Sequence, residues 1–285
     1  MSIQILETGD GVPAALHDLG GDGPALLLTH GNGLNAGMWA TVVPHLRDRF
    51  HCYGLDFRGH GASRPATEDF SVERDHFVRE VLAAVDALGG APVLGAGHSL
   101  GAATMVRTEL DHPGTFSALF VFEPVLIPDT FDRPEGPSLL IELSRKRRMI
   151  FASADEAFER FRSKPPYSEC EADAVRAYVD LGTYPLADGT VRLSCSGETE
   201  ARIYGGGSPM DFSTFAACTC PIVVGAGAAI AGGNDIPPRM APLVAEALGN
   251  GTLQMFEGLT HFAPMEDGAA IAAAIRTHLG RAVQA

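Results

Sequence analysis

Ser99 stands in "GHSLG" (97–101), with a glycine two positions to either side, directly after the apolar run "APVL" and before "LGAATMVRTEL". A G-x-S-x-G run between a strand and a helix is the context of a nucleophile elbow, a turn so tight that the serine stands exposed above the sheet. Gly97 and Gly101 then fill places where a Cβ has no room. Ser99 is read as a nucleophile, the alternative being a serine that merely caps a helix. A serine hydroxyl needs a base. Chain order in this arrangement is Ser, acid, His, which leaves His112, His261 and His278. His112, in "LDHPG", suits a helix end, and His278 lies inside the terminal helix. His261, in "EGLTHFAPMED", follows the last strand and is the expected base. His30, His60 and His98 lie beside the motifs and are assigned structural hydrogen bonding. Two backbone N–H donors must meet the developing oxyanion. Leu100, after the serine, offers one, and Asn32 of the Gly-rich turn "LTHGNG" offers the other, with Gly31 beside it against the substrate.

"HGNG", "DFRGHGAS", "GHSLG" and "THFAP" occur in that order, and with them the whole chain resembles the α/β-hydrolase superfamily. The resemblance implies an acid shortly after the strand that follows the cap. That stretch reads "VVGAGAAIAGGND", with alanines where an Asp is expected. Two candidates remain. Asp235 lies further along the same loop, and Glu123 ends the strand before the cap, 24 residues after Ser99. Some lactonases, acyl-CoA hydrolases and haloalkane dehalogenases of the superfamily carry their acid at the earlier place. A carboxylate within "LFVFEPV" is costly unless paired, and a histidine partner would account for it. Glu123 is therefore the expected acid and Asp235 the alternative. Dehalogenases and epoxide hydrolases of this fold use Asp at the elbow, so a serine points to acyl chemistry.

The elements that must position these groups follow from periodicity. "IQILET" and "PAALHDL" suit an antiparallel hairpin. "PALLLTH" is apolar throughout, as in a strand covered on both faces. A helix is expected over Met38–Arg49, then the strand "HCYGLDF". Phe77, Val78, Val81, Leu82, Val85 and Leu88 recur at helical spacing within 71–88, stopped by Gly89-Gly90. "APVLGAG" and "SALFVFEP" are strands around the helix at 100–110. From 124 to 219 no buried-strand run appears, and two capping boxes, Ser153 with Glu156 and Ser168 with Glu171, precede helical segments. The strand "PIVVGA", a helix near 238–248, the strand "TLQMFEG" and a helix near 267–279 complete the alternation. The expectation is an α/β chain with the α/β-hydrolase fold, a mostly parallel sheet with helices on both faces. Residues 1–123 and 220–285 form its core, and 124–219 an inserted helical cap of a length reserved for functional covers.

The remaining features bound the function. With 285 residues and a net charge of −14, nucleic acid and anionic membranes are poor partners. No basic start leads into an apolar stretch, and no run of about 18 apolar residues occurs, so a cytoplasmic protein is expected. Five scattered cysteines suit free thiols, and "CTC" lacks a second pair for a metal site. "VVGAGAAIAG" fails as a dinucleotide fingerprint because Ile230 takes the third small position. "RKRR" (145–148) is read as a solvated helix face, with an anchor for acyl-CoA phosphates as the sharper alternative. Met149, Phe151, Phe158, Phe161, Tyr167 and Trp39 could line an apolar acyl pocket, though such spacing more often marks core. The expected function is hydrolysis of a carboxylic ester, lactone or thioester of an apolar acid through an acyl-enzyme. The partner is a small-molecule substrate, a homodimer stays open, and no metal or organic cofactor is implied. A lyase or a binding protein using Ser99 and His261 without acyl transfer is the alternative. Activity is expected to fall below roughly pH 6–7 as His261 protonates.

Overall fold

The structure, a computed structural model, describes residues 2–131, 138–207, 209–228 and 235–282. An antiparallel hairpin, β1 (Ser2–Leu6) and β2 (Ala14–Gly20), leads into β3 (Ala25–Thr29) and β4 (His51–Asp56). Then follow α1 (Arg74–Ala87), β5 (Val93–His98), α2 (Leu100–Asp111) and β6 (Phe116–Phe122). After β6 the chain leaves the sheet. It forms α3 (Leu139–Arg145), β7 (Ile150–Phe151), α4 (Ala154–Arg162), α5 (Ala172–Gly182), β8 (Thr183–Pro185), β9 (Val191–Leu193) and α6 (Gly197–Gly205). It returns through β10 (Ile222–Gly227), α7 (Ile236–Ala247), β11 (Gly251–Phe256), α8 (Ala263–Glu266) and α9 (Gly268–Ala282).

The main sheet runs β1-β2-β4-β3-β5-β6-β10-β11, antiparallel at β1–β2–β4 and parallel from β4 to β11. The central strands bury both faces, and the two-residue period divides their side chains. Leu26, Leu28, Phe120 and Phe122 join the cluster that includes Ile271 and Ile275 of α9. Leu27, Leu119 and Val121 join the opposite cluster with Phe77 and Val81 of α1, Val106 of α2 and Val244 of α7. Each such side chain contributes roughly 1.5–3 kcal/mol on burial. The C-terminal ends of β3, β5, β6 and β10 are thereby fixed side by side.

Three local expectations are corrected. The helix expected over Met38–Arg49 is two 3-10 turns, Ala36–Trp39 and Val43–His45. Asn35 caps the first from its side chain, and a Cβ on Gly37 would lie 2.4 Å from the Ala177 carbonyl, so this segment is shaped by contact with α5. Ser153 does accept from the Glu156 N–H, at 3.1 Å. Ser168 does not cap α5: its hydroxyl bonds Glu169, while Glu171 turns to the Gly268 N–H at 2.7 Å. Between β6 and β10 the segment is helical but also contains the three-stranded sheet β7-β9-β8. Its strands, two or three residues long, are too short to show a period. No helix among the described residues is long and apolar enough to cross a membrane. All five cysteines are free and buried.

Candidate active site

Ser99 lies between β5 and α2 with φ 53° and ψ −111°. Among the described residues, it and Glu123 (φ 44°) are the only non-glycine residues with positive φ. Such a conformation costs on the order of 1–3 kcal/mol and persists only where the surroundings hold it. They hold it here through backbone bonds, Ser99 N–H to Phe122 O at 2.9 Å and Gly101 N–H to His30 O at 3.0 Å. A Cβ on Gly97 would stand 2.8 Å from the Ala102 backbone, and one on Gly101 2.5 Å from Thr29 Oγ1. The expected reason for both glycines is thus found in the packing of the elbow against β3. The Ser99 side chain makes no capping bond to α2.

Glu123 is fully buried at the end of β6, and its carboxylate is satisfied on both oxygens. Oε1 accepts from the Gly227 N–H at 2.9 Å, and Oε2 meets His261 Nδ1 at 2.6 Å. A carboxylate can only accept, so Nδ1 carries the hydrogen and Nε2 is left as the basic nitrogen. A Cβ on Gly227 would lie 2.5 Å from the Leu259 carbonyl, and this close approach brings the His261 turn onto β10. Glu266, a residue without an assignment from sequence, fixes that turn by accepting from the Thr260 N–H (2.8 Å) and hydroxyl. Asp235, the alternative acid, instead opens α7, half exposed, 3.6 Å from Arg239. Residues 229–234 of the loop where the resemblance looks for an Asp lie outside the described residues.

His98 Nε2 donates to the His261 carbonyl at 2.8 Å, with the two rings 4.6 Å apart. Burial, reinforced by the neighbouring His261, holds the His98 pKa well below the ordinary histidine value. Burial likewise brings His30 down to about 3 and lowers His60. These three rings are neutral struts. His30 receives the Phe57 N–H, and His60 receives the Gly33 N–H, each at 3.0 Å. Asn32 and Leu100 both border the cavity above Ser99, and neither N–H has a protein acceptor among the described residues. Gly31 packs against the elbow, where a Cβ would be 2.6 Å from the His98 ring.

The cavity at Ser99 measures about 140 Å³ and is walled mainly by Val78, Ala103, Val125, Leu126, Ile203 and Met210. The substrate-binding residues expected from sequence are elsewhere. Trp39 and Phe151 are core side chains at 0% and 2% exposure, Met149 packs on the same cluster, and none of the three lines the cavity. Their apolar surface is used by the sheet and by the aromatic group Phe161, Tyr167 and Tyr178.

"RKRR" is only partly a solvated face. Arg145 pairs with Glu198 in the open, but Arg147 is drawn inside, bonded to Glu200 at 2.7 Å and to the Tyr178 hydroxyl. That group grips the Gly-rich turn after β3: Tyr178 Oη donates to Gly33 O at 3.2 Å, and Asn32 Nδ2 donates to Glu200 O at 3.0 Å. Arg147→Leu strands the Glu200 carboxylate with little water around it. We expect a loss of about 3 kcal/mol, since removing one partner of a buried pair leaves an uncompensated charge. A thermal melt checks this, and an unchanged midpoint would mean that the pair is immaterial.

A model of the alpha/beta hydrolase family matches residues 26–274. Pimeloyl-[acyl-carrier protein] methyl ester esterase of Methylococcus capsulatus is 37% identical over 112 residues, covering 36% of this chain and 41% of that protein. Protein phosphatase methylesterase 1 of Mus musculus is 39% identical over 95 residues, 31% of this chain and 24% of its own length. The chain thus spans less than half the length of these curated relatives. The solved structure of E-2-(acetamidomethylene)succinate hydrolase superposes with a TM-score of 0.78 at 18% identity, over 98% of this chain and 99% of that one. It shares the fold.

Proposed function

We proceed from the fact that this chain belongs to the alpha/beta hydrolase family, and we propose that it is a serine hydrolase that cleaves carboxylic esters or thioesters through an acyl-enzyme. The observation that carries this reading is the joint geometry of Ser99 and Glu123, the two strained residues, with Glu123 bonded to His261 Nδ1 at 2.6 Å. In this scheme Ser99 Oγ attacks the acyl carbon and passes its proton to His261 Nε2, while Glu123 balances the imidazolium charge. The carbonyl oxygen gathers negative charge and is met by the N–H groups of Asn32 and Leu100. The tetrahedral intermediate collapses, the bond to the leaving oxygen or sulfur breaks, and that atom takes the proton from His261. Water then gives a proton to His261 and its hydroxide to the acyl carbon; the bond to Ser99 Oγ breaks, that oxygen takes the proton back from His261, and the acid leaves. The segment between β6 and β10 serves as a cap over this centre. Two curated relatives act on methyl esters by their names, in keeping with ester chemistry here.

Stopped-flow hydrolysis of p-nitrophenyl acetate and butyrate tests the proposal. The expected result is a burst of nitrophenol stoichiometric with protein, together with one acyl adduct on the Ser99 peptide by mass spectrometry. Turnover with neither burst nor adduct, or no turnover at all, points instead to proton-transfer lyase chemistry or to simple binding.

A further inference from the structure

Resting on that reading, we infer that the cavity at Ser99 receives the acyl half of the ester rather than its leaving group, and limits that half to an uncharged group of about six carbon atoms. Among the described residues, Ser99, Asn32 and Leu100 border the cavity and His261 does not. The four bonds of a tetrahedral intermediate run to Ser99 Oγ, to the oxyanion, to the acyl substituent and to the leaving atom. His261 Nε2 must hand its proton to the leaving atom, so that atom lies on the His261 side. The remaining direction, into the cavity, belongs to the acyl group.

Packing sets the two sides apart. Ala103, Leu126 and Ile203 of the cavity wall belong to the apolar cluster shared by α1, α2 and α7, with Met210 packed on it. Leu259 and Phe262, close to His261 in the chain, pack on the cluster across the sheet. An apolar cavity of about 150 Å³ takes one benzene, and this one measures about 140 Å³. Leu100, Ala103, Thr104 and Arg107 border it along one face of α2. The Thr104 hydroxyl is already satisfied, since it donates to the Leu100 carbonyl at 2.8 Å. Arg107 ends that row, its charge met by Asp111 through Nε and by Asp75 at 3.7 Å. Arg74 also borders the cavity and is not without a partner. These walls therefore ask for no charge on the acyl group. A chain long enough to reach Arg107 would press hydrocarbon against a paired, partly hydrated guanidinium, which is unfavourable.

Two ester series, each read as kcat/KM, test this. In the first, the acyl group of a p-nitrophenyl ester grows from acetate through hexanoate to decanoate. We expect about a fourfold gain per methylene up to hexanoate, the effect of burying one methylene, and a fall by decanoate. In the second, followed by pH-stat, the acyl group stays hexanoyl and the alcohol grows from methyl to hexyl. Those rates should agree within about threefold, since the alcohol buries little apolar surface. Ala103→Leu narrows the cavity and should move the best acyl chain to butyrate. Met210→Ala widens it and should move the best chain to octanoate, a gain that a folding defect cannot mimic. Four results would each overturn the inference and leave the serine hydrolase standing: a length dependence carried by the alcohol, a flat response to acyl length, a rise that continues through decanoate, or an optimum unmoved in both variants. Calorimetry with hexanamide, an acyl analogue without a leaving alcohol, covers a protein that cleaves no ester. Binding that weakens in Ala103→Leu then keeps the size of the cavity and sinks the hydrolase reading, and no binding sinks both.

Discussion

Replacing Glu123 by Gln will lower kcat on simple esters by roughly a thousand- to ten-thousandfold, with little change in the melting temperature. The amide keeps an oxygen to receive the Gly227 N–H, so the end of β6 stays in place. What changes is the hydrogen on His261. A carboxylate fixes the hydrogen on Nδ1, whereas an amide nitrogen at the same place offers a donor and invites the opposite tautomer. Nε2 then holds a hydrogen and cannot take the proton from Ser99. The imidazolium formed on attack also loses its counter-charge. Asp235→Asn, at a half-exposed helix start and paired among the described residues with Arg239, should stay within about twofold of the parent, as surface substitutions usually do. Ser99→Ala sets the floor of the series. Steady-state kinetics on p-nitrophenyl butyrate for all three variants read the outcome. A dead Asp235→Asn beside an active Glu123→Gln would place the acid after the inserted segment and refute the assignment.

That sequence alone keeps Asp235 open beside Glu123, the expected acid, has a physical cause. Ser99, Gly97 and Gly101 are close in the chain, and the clash that demands glycine is local, so the elbow is legible in five letters. The strands were legible for a similar reason: Leu26, Leu27 and Leu28 are apolar together only because the sheet is covered on both faces. Glu123 and His261 are separated by 138 positions, and what joins them is the parallel pairing of β6 with β10 and the close contact of Gly227 with the Leu259 carbonyl. No period records such a contact. The same limit explains the misplaced pocket. Trp39, Met149 and Phe151 carry the right chemistry for an acyl site but are consumed by core packing. The wall that does meet Ser99 is made of Val78, Ala103, Leu126 and Ile203, residues with no signature beyond being apolar. Arg147 was misjudged because a run of four basic residues looks solvated, while the glutamate that draws one of them inward lies 53 positions away.

Asp56 shows what holds the loops after β3 and β4 in place, and Asp56→Ala should cost about 3–5 kcal/mol. It is fully buried at the end of β4. Its carboxylate accepts from the Ala36 N–H at 2.7 Å, the Ala62 N–H at 2.8 Å and His17 Nε2 at 2.7 Å. It therefore ties the turn after Gly31 and Gly33 to the "GHG" loop and to β2. Alanine leaves all three donors buried and unmet. At roughly 2–4 °C per kcal/mol for a chain of this size, the melting temperature should fall by about 10 °C. Asn keeps an acceptor for Ala36 and should recover part of the loss. The pH dependence follows from the same contacts. Burial alone would raise the Asp56 pKa, but the bond to His17 and its charge outweigh burial and hold it below the ordinary carboxylate value of 3.8. A lowered folded pKa means that the stabilisation is complete above the unfolded value and drains away as pH falls through the folded one. The gap in stability between the parent and Asp56→Asn should then be level from about pH 7 to 5 and close only below about pH 4. Urea melts across that range decide it. A gap that closes near neutrality would show that another group, and not the Asp56 carboxylate, carries the tie.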